Sequence, residues 1–81
     1  MELQKKDILV LGHTAYKYNG VLYIQCSGKY SGITSIFLRE CLKLFGEYEI
    51  TDSYDIYQTD ENGCNDVEFV TNLPWNIYYD L

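Results

Sequence analysis

Around Asn19-Gly20 the chain alternates strictly between two kinds of side chain. Ala15, Leu22, Ile24 and Cys26 share one side of an extended backbone, and Tyr16, Tyr18, Val21 and Tyr23 share the other. Alternation on both sides of Asn-Gly predicts a β-hairpin, because that dipeptide supplies the two positive-φ positions of a type I′ turn. A two-residue loop pairs Tyr18 with Val21, Tyr16 with Tyr23, Ala15 with Ile24 and His13 with Cys26. Extended backward, the pattern puts Leu9, Leu11 and His13 on the buried side. Ile8 and Val10 then join the tyrosine side.

After a Gly- and Ser-rich loop, the period changes from two to between three and four. Ile33, Ile36, Phe37, Cys41, Leu44 and Phe45 form a stripe, which predicts an amphipathic helix of about 14 residues. Leu38 and Leu42 widen the stripe on one flank. Ser31 is the expected N-cap. Gly46 stands where a left-handed residue ends a helix, and Lys43 faces the negative end of its dipole.

A second hairpin is expected from Glu49–Thr59 and Asp66–Leu73, with Asn62-Gly63 as its turn. That register sets Ile56 opposite Phe69 and Tyr54 opposite Thr71, facing the helix. Asp55, Tyr57 and Thr59 then share the outer face with Asp66, Glu68 and Val70. Pro74 ends the strand, and Trp75, Ile77 and Tyr79 alternate as in a fifth short strand. The sum is an α+β domain spanning residues 1–81, ββαββ(β), with a single antiparallel sheet and one helix packed on one face.

Charge changes the picture more than composition does. Residues 1–43 hold all six basic residues and three acids, a balance of +3. Residues 44–81 hold nine acids and no Lys or Arg, a balance of −9. Such polarity steers a basic partner toward the second half and repels nucleic acid from it. Nine tyrosines exceed what one small core buries with every hydroxyl satisfied, so several belong on the surface.

Candidate chemistry is sparse. His13 is the sole histidine, and no third group is evident to orient it toward Cys26 as a nucleophile pair. Cys26, Cys41 and Cys64 lack the close Cys-x-x-Cys spacing of a zinc site or a disulfide framework. Asp60, Asn62 and Asp66 do not follow calcium-loop spacing, and no phosphate-binding glycine loop is present. No catalytic residue, metal or cofactor is expected, and the chain reads as a non-enzyme. No apolar run reaches membrane-spanning length. The run at Ile8–Leu11 is too short for a secretory signal core. A cytoplasmic monomer or weak dimer is expected, without a membrane role.

These features point to a protein that acts by binding. In length and acidity the chain is similar to phage-encoded inhibitors of the anti-CRISPR and anti-restriction type, and to bacterial immunity proteins. The similarity is one of composition and includes no motif. It implies a small inhibitor whose carboxylates imitate nucleic-acid phosphates and block a basic site on a nucleic-acid-binding enzyme or defence complex. The expected binding residues are Glu49, Asp52, Asp55, Tyr57, Asp60, Glu61, Asp66 and Glu68, with Trp75, Tyr78 and Tyr79 as aromatic anchors. Glu47 and Tyr54 lie in the same stretch. The alternative is a small nucleic-acid or ligand module using the Tyr16, Tyr18 and Tyr23 face beside Lys17 and Lys29.

Overall fold

The computed structural model describes residues 2–10, 14–59 and 61–78. Asn19 and Gly20 take φ values of 52° and 79°, as a type I′ turn requires. They join β1 (Thr14–Tyr18) to β2 (Val21–Cys26). Tyr16 pairs with Tyr23 and Ala15 with Ile24, as the turn dictates. β2 buries Leu22, Ile24 and Cys26 and leaves Val21, Tyr23 and Gln25 half-buried on its other side.

Upstream of β1 the strand pattern fails, because Lys5–Val10 coils into a 3-10 helix. Three residues per turn cancel the two-residue alternation. Ile8, expected beside the tyrosines, is therefore buried in the core, and Leu9, expected inside, is 50 % exposed. Leu11 and His13 lie outside the described residues.

Between β2 and the main helix lies a 3-10 turn, Gly28–Tyr30, capped by the Ser27 hydroxyl, which accepts from Lys29 N at 3.3 Å. A Cβ on Gly28 would come within 2.1 Å of the Asn65 carbonyl oxygen. Only glycine lets this turn lie against the start of the second hairpin's return strand. Ser31 is not the cap expected of it. Helix α1 (Ser31–Lys43) starts from Tyr30 without a side-chain cap bond, and Ser31 Oγ donates to the Gly28 carbonyl. Lys43 occupies the last turn, as expected, but Leu44 is the C-cap, so Gly46, at φ 143°, lies one residue beyond the C′ position expected of it.

The helix is rolled relative to the expected stripe. Thr34, Leu38, Cys41 and Leu42 are buried, whereas Ile33 and Ile36 are 58 % and 60 % exposed. Leu44 is exposed as well. Two overlapping series at helical spacing occupy this segment, and periodicity does not rank them. The sheet chooses the one through Leu38.

β3 (Ile50–Thr59) and β4 (Asn65–Pro74) form the second hairpin, but not in the expected register. Gly63 takes a positive φ and Asn62 does not, so no two-residue type I′ turn forms. A longer connection joins the strands, with Thr59 paired to Asn65. Irregularities between Asp55 and Thr59 and between Ile50 and Asp52 shift the pairing further. Tyr54 ends opposite Glu68 and Asp55 opposite Val67. An odd net slip exchanges the two faces of a strand, so Tyr54 and Asp55 have traded sides.

The sheet order is β1-β2-β4-β3, antiparallel throughout. α1 and the N-terminal 3-10 helix cover one face, burying Ile8, Leu22, Ile24, Leu38, Leu42, Phe69 and Leu73 between the layers. The expected α+β plan of one antiparallel sheet and one main helix is thus observed. The proposed fifth strand is not: Trp75–Tyr78 forms a short helix, α2. Pro74 still pairs with Val21, and Trp75 N donates to the Gly20 carbonyl at 2.8 Å, which turns the chain off the sheet. Among the described residues no helix is long and apolar enough to cross a membrane.

Truncating the two sides of α1 should separate them energetically. Leu38→Ala is expected to destabilise the fold by about 2–5 kcal/mol, and Ile36→Ala by no more than about 0.5 kcal/mol, in urea denaturation. The reverse order would place the wrong face inside.

Candidate functional site

The sheet face away from α1 carries a polar cluster built from all four strands. Glu68 of β4 is only 4 % exposed, although among the described residues no helix covers that face. Tyr54 of β3 lies directly opposite it and donates its hydroxyl to one carboxylate oxygen, Oε2. Gln25 of β2 is its partner on the other side, and Nε2 donates to Oε1 at 3.0 Å. Tyr16 reaches diagonally from β1 and donates to the same Oε1. Its ring stacks on Tyr23 with centroids 5.2 Å apart, and Tyr18 meets Tyr23 edge-on at 5.8 Å. Aromatic rings thus shield the carboxylate while their hydroxyls satisfy it.

The electrostatics of this cluster are those of a fixed charge. Burial pushes the Glu68 carboxyl up, but the hydrogen bonds from Tyr16, Tyr54 and Gln25 outweigh it and hold the group below its ordinary value. Burial and the Glu68 charge push the Tyr16 hydroxyl up to about 12. The hydrogen bond to Glu68, followed by burial, pushes Tyr54 up as well. Carboxylate and phenols are driven apart, away from neutrality, which is the opposite of what a proton-transferring pair needs. The Cys26 thiol is also pushed up, chiefly by burial, with the Asp66 charge adding to it and a hydrogen bond with Thr34 working against it. Burial, with Asp7 and Glu40, does the same to Cys41. Neither buried thiol is activated as a nucleophile.

The acidic half divides in two. Asp66 and Glu68, expected on the outer surface, are buried, because β4 is an inner strand flanked by β2 and β3. They leave the candidate binding surface. Glu47, Glu49, Asp52, Asp55 and Glu61 remain exposed, and Tyr57 is fully exposed. Glu49 precedes β3 and its backbone N–H is held by Asn72 Oδ1 at 2.7 Å. Asp52, Asp55 and Tyr57 belong to β3, an outer strand whose far edge pairs with nothing among the described residues. Trp75, expected as an anchor, is half-buried and packs on the core. Tyr78 closes α2. Asp60 and Tyr79 lie outside the described residues.

Sequence reasoning missed the groove beside β3. One helix cannot cover four strands, and the inner side of β3 is left open. A cleft of about 320 Å3 runs between Ser35 and Arg39 of α1 and Ser53 and Asp55 of β3, over a floor of Val67 and Phe69. A second cleft of about 230 Å3 lies on the other side of Arg39, against Lys43, Tyr48 and Glu49. Arg39 and Asp55 give the first cleft both signs of charge. Among the described residues no group of three or more His, Cys, Asp or Glu side chains is placed to hold a metal ion.

Glu68 sets the expected pH response. Its lowered pKa contributes stability that is present above the ordinary glutamate range and lost as pH falls through the folded value. Tyr16 works in the opposite sense: its contribution is complete below about 10 and lost as pH rises through about 12. Glu68→Ala should cost about 3 kcal/mol at neutral pH, since bonds to a charged acceptor are the strong ones. It should also flatten both limbs of the stability–pH profile followed by thermal melting. An unchanged profile would show that the cluster does not hold the sheet.

No family model matches the chain, and no curated protein or solved structure is similar to it.

Proposed function

We propose that the protein is a small binding protein rather than an enzyme, and that it presents the acidic edge at β3 to a basic site on a protein partner. The observation that carries this reading is the composition of that edge. Glu49, Asp52 and Asp55 are exposed along it with the fully exposed ring of Tyr57, and residues 44–81 contain no Lys or Arg. Carboxylates along one edge beside an exposed aromatic offer a charge pattern and an anchor together. A basic nucleic-acid-binding site on an enzyme or defence complex has the complementary chemistry. An inhibitor that imitates nucleic acid is therefore the specific form of the proposal.

Burial of Glu68 sharpens this reading in two ways. Together with the burial of Asp66 it removes two carboxylates from the surface and leaves the β3 edge as the acidic feature. It also places a fixed negative charge beneath Tyr16 and Tyr54. A phosphate approaching the first hairpin's tyrosine face would meet that charge, which weighs against the alternative of a nucleic-acid module there.

Replacing Glu49, Asp52 and Asp55 together by Lys tests the proposal. All three are exposed, so the fold should persist, as checked by circular dichroism. Retention of a basic partner from lysate of the source cell at low salt should fall at least tenfold. Reversing Lys17 and Lys29 instead should leave retention unchanged. Equal retention by the wild type and the triple variant would remove the acidic edge from the function.

A further inference from the structure

The uncovered edge of β3 and the cleft beside it form one surface, and together they describe what fits there. β3 has an edge that no described strand occupies, and within it Ser53 N–H donates to Asp52 Oδ1 at 2.9 Å, a bond that an added strand would exchange for its own. Its pairing with β4 is regular from Asp52 to Asp55 and irregular on either side. An added strand therefore has a straight stretch of about four residues to follow, close to 13 Å at ordinary strand rise. Alternate side chains of such a strand point to opposite faces of the sheet. One set turns toward the tyrosine face, past Asp52 and Tyr54. The other turns toward α1, where the cleft over Val67 and Phe69 is open.

We propose that β3 accepts an extended basic segment of a protein partner as a fifth strand, with one side chain of that segment entering the α1–β3 cleft. This rests on the reading of β3 as the binding edge and adds the backbone pairing and the cleft to it. Edge-strand addition supplies affinity through main-chain hydrogen bonds and specificity through pockets for alternate side chains. Charge selects the occupant. A second copy pairing β3 to β3 would bring two acidic edges alongside each other, and like charges across strands are destabilising. A segment with Lys or Arg at alternate positions meets Asp52 on the tyrosine face instead, and its intervening residues turn toward the cleft lined by Asp55, Ser53 and Val67.

The test uses the full chain and a synthetic peptide of about seven residues alternating lysine and valine, long enough to span the regular stretch. Two isomers of equal charge carry N-methyl groups on alternate amides, in opposite phase. Strand addition predicts that one phase binds at least tenfold more weakly than the parent peptide, while the other stays within about threefold, by isothermal titration. Amide shifts should concentrate in residues 50–57. Ser35→Trp, which fills the cleft from its rim, should weaken the parent peptide. Equal binding by both phases would overturn strand addition and leave the acidic-edge reading standing. Unchanged affinity in the Ser35→Trp variant would overturn the cleft. No binding by the parent peptide at low salt would overturn strand addition and the acidic edge together.

Discussion

Glu68 lies on an inner strand of a sheet with only one helix-covered face, and on the uncovered face it is nonetheless buried. A carboxylate in that position is costly unless its lone pairs are filled. Here they are filled by Tyr16, Gln25 and Tyr54, one from each of the other three strands. The arrangement explains why Tyr16 of the first hairpin leans inward rather than into solvent. It also accounts for a face that stays ordered without a second helical layer, because the aromatic rings act as its cover. The same carboxylate links the two outer strands through side chains, although β1 and β3 share no backbone bond.

This constraint bears on the register of β3. In the register expected from a two-residue Asn62-Gly63 turn, Glu68 would face Tyr57, with Asp55 on the same side of the sheet. Two carboxylates would then share a shielded face without a cation. The observed slip moves Asp55 to the side of α1 and Arg39 and brings the Tyr54 hydroxyl to Glu68. The slip also sets Asp52 opposite Val70, the place Asp55 would have taken, so what favours it is the new donor to Glu68 and not a separation of like charges. The turn, which pairs Thr59 with Asn65, exchanges the faces, and the irregularity between Asp55 and Thr59 extends the slip.

The legible parts of the fold were those fixed by local backbone chemistry. Asn19-Gly20 specified its turn, its register and both faces of β1 and β2, because two adjacent positive-φ residues admit few geometries. Gly46 and Lys43 marked the helix end, to within about a residue, for similar reasons. The errors came from choices that only tertiary packing makes. Apolar residues cover so much of the circumference of α1 that periodicity found a helix without finding its buried side. The second Asn-Gly looked like the first, yet Asn62 stays out of the positive-φ region. The Glu68 cluster was half visible, since Tyr16 and Gln25 share a face and Glu68 alternates correctly on β4. What joins them is the β2–β4 pairing, and no local signal in either hairpin specifies it.

The acidity of β3 is consistent with two needs that pull in the same direction. An outer strand with unpaired backbone is a hazard, and charges along it are a common defence against pairing with another copy. Glu49, Asp52 and Asp55 supply that defence, and two irregularities in the pairing shorten the regular stretch between them. A defence made only of carboxylates is selective, however, because it repels an acidic or neutral strand more than a basic one. Mixed charges would have protected the edge equally well without discriminating among partners. The absence of any Lys or Arg from residues 44–81 therefore favours a recognition role over solubility alone. On the proposed reading, the cleft left beside β3 by the single helix adds a shape requirement to the charge requirement.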